Sequence, residues 1–169
     1  MKVLKTPAFK YAFSKAVLQY GLPTAVICGI LYKFVFKAPG DMSAFAVAGD
    51  LYISIFVTCF ICQILFIPSV RGDAKKGKLP DMSMMYHTIF DLVPSNMVLQ
   101  TIVLSLYTTL VLTLVPSGIM CLIGSFVGEF TIPVSIYWLL KSIYSGIFIS
   151  IHMYHAAGCA ANKLPQSKE

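Results

Sequence analysis

Four long apolar stretches alternate with short polar ones along the chain. The first runs from about Ala12 to Phe36, and Ala16 to Tyr32 within it carries no charge. Pro23 interrupts it, which a helix bundle tolerates where neighbours re-satisfy the freed carbonyl. Lys33 and Lys37 at its far end have stems long enough to snorkel to an interface. The run is long for a cleaved leader, and no small-x-small site closes it, so a retained span is expected. Ala38-Pro39-Gly40-Asp41 then makes a turn. The second stretch runs from about Ala44 to Val70, with Leu51 to Val70 free of charge. That is enough chain to cross the ~30 Å of a bilayer core as a helix. Pro68 and Arg71-Gly72-Asp73 are expected to end it.

A polar connection through Lys78-Leu79-Pro80 leads to the third stretch, about Asp91 to Val115, which Pro116-Ser117-Gly118 is expected to break. Ile119 to Gly128 reads as an apolar connection lying in the interface. The fourth stretch runs from about Glu129 to His155, and a short polar tail follows. The expected fold is therefore an all-α integral membrane protein, a bundle of four transmembrane helices.

Composition narrows the class. Hydrophobic residues make up 57% of the 169 and charged ones only 12%, against roughly 25% charged in soluble domains. The mean hydropathy is +0.79. A small soluble domain has too much surface to hide this excess, and a disordered chain is excluded by the same figures. The net charge is +6. Ten of the 13 basic residues fall in three segments: Lys2, Lys5, Lys10 and Lys15; Arg71, Lys75, Lys76 and Lys78 with the middle connection; Lys163 and Lys168 in the tail. Basic clusters that flank apolar spans follow the positive-inside pattern rather than a nucleic-acid surface. Both termini and the middle connection are accordingly expected in the cytoplasm of a multi-pass cell-membrane protein.

The halves look alike. Ser14-Lys15-Ala16-Val17-Leu18-Gln19 matches Ser95-Asn96-Met97-Val98-Leu99-Gln100 at four of six positions, 81 residues on. Lys78-Leu79-Pro80 matches Lys163-Leu164-Pro165, and Tyr52 matches Tyr137, both 85 residues on. The matches keep their order and mark equivalent ends of elements. They point to two tandem two-helix hairpins, 1–80 and 81–169, duplicated in parallel. An even number of spans per copy would relate the halves by an axis along the membrane normal.

Small and hydroxylated residues recur at helical spacing. Gly21, Ala25 and Gly29 form a small-xxx-small face, and Thr101, Ser105, Thr109 and Thr113 form a hydroxyl stripe. Ser142, Ser145, Gly146 and Ser150 sit on the fourth span. Packing seams are the first expectation, because helices in lipid associate through close approach and interhelical hydrogen bonds. A polar path across the bundle is the alternative.

The residue most out of place is Lys141, read near the centre of the fourth span. Placing a lysine there costs ~2.5–3.5 kcal/mol on insertion scales. It is expected to be neutral, paired or facing water, or else to snorkel from a shifted helix. Asp50, Asp91 and Glu129 are the available partners, but each is read near a span end, so none stands out. Phe56 takes the equivalent place in the first copy. Gln19 and Gln100, equivalent in the duplicated motif, could bond each other across the axis. His152, His155 and Cys159 share a helical face, with His87 on the same side, which gives weak candidates for a zinc or copper site.

The five cysteines have no disulfide framework, and Cys59-Phe60-Ile61-Cys62 reads as helix core rather than a redox pair. No cofactor is implied, and no nucleophile triad, phosphate-cradling loop or paired intramembrane carboxylates mark a conventional enzyme. Three functional classes remain. The first is a transporter- or channel-like oligomer lined by Lys141 and the hydroxyl stripe. The second is an accessory or assembly subunit of a larger membrane complex. The third is a membrane enzyme or metal-binding protein using the histidines. The expected partners are the lipid bilayer and either further copies of the chain or another membrane protein.

Overall fold

The computed structural model describes residues 6–35, 40–85, 87–128 and 131–162, without the side chains of residues 89 and 115. Four helices are long and apolar enough to cross a membrane: α1, Pro7–Val35; α2, Ala44–Lys75; α3, Met97–Val127; and α4, Val134–Asn162. The predicted span end at Phe36, the turn residues Ala38 and Pro39, the span start at Glu129 and the tail match Lys163-Leu164-Pro165 lie outside the described residues.

Three of the four helices start where the sequence supplies a cap. Thr6, Ser43 and Asn96 accept hydrogen bonds from first-turn amides of α1, α2 and α3, which satisfies donors that have no partner within the helix. Inside α1 the chain widens to π-helical bonding over Ser14–Gly21 and returns to α-helix at Leu22. Pro23 sits at that change. The altered register relieves a helix that must accept a residue with no amide hydrogen.

Three predicted boundaries are corrected. α2 does not stop near Val70: it continues through Pro68 and Gly72 to Lys75, and Gly77 closes it at φ +66°. α3 starts at Met97 rather than Asp91, because Thr88–Leu92 is a 3-10 turn. Pro116 does not break α3, which runs on to Val127, so the stretch read as an interfacial connection is helix up to the positive-φ Gly128. The physical reason is common to Pro68 and Pro116. One proline removes one backbone hydrogen bond and can kink a helix, but a helix packed in a bundle survives that loss. At Pro68 the next turns are also fastened to α1, since Lys15 reaches Ser69 and Asp73 at 2.7 Å each.

The packing order is not that of two compact hairpins. α1 lies along α4, and α3 lies along α2, while α2 and α4 touch each other between them. Sequential neighbours α3 and α4 scarcely meet. α1 and α2 meet through long side chains, such as Tyr20 against Phe66 with ring centres 5.0 Å apart. A two-residue antiparallel ladder, β1 Met42–Ser43 with β2 Thr131–Ile132, ties the two connections at one end, pairing Met42 with Ile132.

The small residues form the α1–α4 seam. A Cβ on Gly146 would fall 2.7 Å from that of Ala25, and one on Gly29 would fall 3.0 Å from the Ser142 hydroxyl. Ser142 donates to the Ala25 carbonyl at 2.6 Å. Glycine at these points lets the two backbones approach closely enough for dispersion contacts and a direct interhelical hydrogen bond. Away from the ladder, the main core gathers Ala12 and Ala16 of α1, Phe66 and Ile67 of α2, and Met153 and Ala157 of α4, all fully buried.

Candidate functional site

The ladder end of the bundle holds a polar cluster built by three helices. Asp50 and Ser54 stand one turn apart on α2, Tyr137 and Lys141 one turn apart on α4, and Tyr32 lies near the end of α1. The i, i+4 spacing puts each pair on one helix face, and the α2–α4 contact turns the two faces toward each other.

Lys141 is 1% exposed. Its ammonium group pairs with the Asp50 carboxylate, donates to the Ser54 hydroxyl and reaches the Asp50 carbonyl at 3.4 Å. Ser54 in turn donates to that same carbonyl at 2.5 Å, so its oxygen is free to accept from lysine. The other carboxylate contacts are phenolic. Tyr32 donates to one Asp50 oxygen at 2.9 Å, and Tyr137 donates to the oxygen that also holds Lys141. The Tyr32 ring lies 4.8 Å from the ammonium and 6.1 Å, edge-on, from the Tyr137 ring. All three ammonium protons and both carboxylate oxygens are therefore occupied. A buried charge pair is tolerable when its remaining hydrogen-bonding capacity is met in this way.

The two partners differ in access. The Lys141 side chain is 0% exposed and that of Asp50 25%. The acid faces outward and the base inward. The ladder closes over this end, where Asp41 accepts from the Val134 amide at 3.3 Å and Lys33 lies 4.7 Å from the Trp138 ring centre.

The Lys141 side chain turns into the bundle, and the residue is not at the middle of its helix. It lies seven residues into α4, roughly 10 Å along the axis at 1.5 Å per residue. Asp50 lies six residues into α2, at a matching depth of roughly 9 Å. The expectation that no acid stood out as a partner is corrected: the helix starts place Asp50 level with Lys141. Ser54 and Tyr32 were not singled out from the sequence, and Tyr137 entered only as the match of Tyr52. The paired i, i+4 spacings of Asp50/Ser54 and Tyr137/Lys141 are the signal that could have found most of the cluster.

Gln19 and Gln100 are not brought together. Gln19 is exposed, whereas Gln100 is fully buried. Gln100 accepts from Arg71 at 3.0 Å and donates to the Cys159 sulfur at 3.3 Å. The hydroxyl stripe faces α2. Ser105 donates to Gln63 at 3.2 Å, Thr101 bonds the Met97 carbonyl at 2.9 Å, Thr113 bonds the Thr109 carbonyl, and Thr109 itself is buried.

The histidine and cysteine candidates do not converge as ligands. Among the described residues no group of three or more such side chains could hold a metal ion. His155 is exposed and its Nδ1 lies 2.9 Å from its own Ile151 carbonyl. The His87 and His155 ring centres are 6.2 Å apart. Cys159 is buried against Gln100, and His152 is buried with neither ring nitrogen bonded. The shared helical face is wide enough to point these groups at different neighbours. In comparisons with known proteins, no family model, no curated protein and no solved structure matches this chain.

Proposed function

We propose that the chain is a small multi-pass membrane protein, transporter- or channel-like and oligomeric, in which Lys141 and Asp50 form the ionisable centre of a proton or small-ion path. The observation that carries this reading is a fully hydrogen-bonded ammonium–carboxylate pair set two turns inside apolar helices. Ionisable groups at such positions are costly and mark ion or substrate routes by default. The chemistry follows from the unequal access. A proton arriving from the ladder side reaches Asp50 first. Neutralising that carboxylate removes the charge that holds Lys141, and the ammonium is then free to take another partner. Four spans enclose little volume, so a continuous path calls for further copies around this centre.

In this reading the four helices cross the membrane, with both termini and the middle connection in the cytoplasm and the ladder outside. The basic residues Lys10, Lys15, Arg71, Lys75, Lys76 and Lys78 all fall at the end away from the ladder, as the positive-inside rule requires.

The chain is read as a parallel duplication whose helices have exchanged partners. Packing α1 on α4 corresponds to packing α3 on α2, and the α2–α4 contact corresponds to itself. Buried positions Leu51, Ile55, Cys59, Phe66, Ile67 and Val70 recur 86 residues on as Tyr137, Lys141, Ser145, His152, Met153 and Ala156, all buried. That register makes Ile55, rather than Phe56, the counterpart of Lys141. The charge is thus an asymmetry added to one copy.

The test is flux. The purified chain is reconstituted in liposomes with an entrapped pH dye, and a potassium diffusion potential drives protons inward. Faster acidification than in empty liposomes is the expected result, and equal rates would remove the reading.

A further inference from the structure

The weak contact between α3 and α4 leaves a cavity of about 450 Å³, roofed by the chain from His87 to Val93. This is within the ~300–1,000 Å³ of small-molecule pockets. Its walls are mostly apolar, and among the described residues no lysine, arginine or carboxylate lines it. Two of its residues, Tyr107 and Val111, are 44% and 46% exposed and open it sideways from the bundle. His152 and Thr108 line its inner wall, at 1% and 6% exposure.

His152 has neither ring nitrogen hydrogen-bonded. A buried imidazole left so loses one donor and one acceptor bond, at a cost of ~1–3 kcal/mol for an unsatisfied polar group. A ligand that enters from the side and ends in a hydrogen-bonding group would repay that loss. Among the described lining residues the only groups that could carry a positive charge are His87, His152 and His155, and none is a carboxylate, which suits a neutral hydrogen-bonding head better than a phosphate, carboxylate or ammonium.

We propose that the α3–α4 cavity binds a neutral, membrane-soluble molecule that carries a carbonyl or hydroxyl group on an apolar body, with that group hydrogen-bonded to His152. The site is separate from the Lys141–Asp50 centre. His152 lies eleven residues further along α4, ~16 Å by helix rise, and its occupancy does not depend on ion movement.

The test is calorimetric titration of the purified full chain in nanodiscs with two probes: decylubiquinone, which offers carbonyls, and farnesol, which offers a hydroxyl. A hydrocarbon of similar size serves as the reference. Saturable binding of either polar probe is expected, and whichever binds more tightly identifies the carbonyl or the hydroxyl source. His152→Leu is expected to weaken it about tenfold, the equivalent of one good hydrogen bond. Val111→Trp, at a half-exposed position on the cavity mouth, is expected to block entry in the folded protein. The proposal is overturned if neither probe saturates, if the hydrocarbon binds as tightly, or if Val111→Trp leaves binding unchanged. Unaltered affinity in a folded His152→Leu protein would overturn it as well.

Discussion

Lys141 of α4 and Asp50 of α2 form an ion pair across 91 residues of sequence, and it joins the two halves of the chain. It sits where the central helix contact meets the ladder end, with phenols from α1 and α4 closing over the carboxylate. Its burial decides how each partner can be replaced.

Removing one partner strands the other. Lys141→Met leaves Asp50 among two phenols with no cation, and the expected loss of stability is ~3–5 kcal/mol. Asp50→Asn is expected to be similarly harmful. The double variant should lose less than the two single losses added together, because no uncompensated charge remains. Thermal or denaturant unfolding in detergent of the four proteins measures this. Additive losses would show that the pair is not coupled.

The two glutamines should behave differently although the sequence reads them as equivalent. Gln100→Leu unpairs the Arg71 guanidinium from the Gln100 amide and is expected to cost ~1–3 kcal/mol. Gln19→Leu, on an exposed face, should be within ~0.5 kcal/mol of the parent, as surface changes usually are. Unfolding midpoints of the two variants, side by side, check the prediction.

The α1–α4 seam is tight at Gly146, where an added Cβ would press on Ala25. Gly146→Val is expected to destabilise by ~1–3 kcal/mol through overpacking. Gly49→Val, where an added Cβ meets nothing within 4 Å, should spare the seam. A Gly146→Val protein as stable as the parent would mean that α1 does not lie on this face.

Joining of the two connections is testable by chemistry. Met42 and Ile132 face each other in the ladder, and directly opposed antiparallel residues have Cβ atoms ~4.5–5.5 Å apart. Met42→Cys with Ile132→Cys, in a background with the native cysteines replaced, is expected to cross-link on mild oxidation. A membrane-impermeant thiol reagent should reach a single cysteine at the exposed Ser43 or Thr131 of the same ladder from outside the cell. Labelling only after permeabilisation would reverse the proposed orientation.

Hydropathy was enough to read four helices, because a span of charge-free residues leaves the chain few other options. Their ends were harder. Pro68 and Pro116 are breakers by local rule, yet tertiary contacts carry α2 and α3 past them, and no local pattern encodes those contacts. The error in α4 moved Lys141 to mid-span and hid its level match with Asp50. The Gly21, Ala25 and Gly29 face was legible as a seam, since small residues at every fourth position have little other use. The packing of α1 on α4 and of α3 on α2 was not legible, since it depends on which faces meet between distant parts of the chain. Tyr32 escaped notice because a tyrosine near a span end reads as an interfacial residue until its hydroxyl is seen on Asp50.

The most direct test of the account places the ion pair in the flux assay. Proton uptake is measured in liposomes holding equal amounts of folded parent, Lys141→Met, Asp50→Asn and the double variant. The account predicts uptake well above empty liposomes for the parent and a fall to that baseline for all three variants. Undiminished uptake in the folded double variant would contradict it and leave Lys141 and Asp50 as a structural clamp.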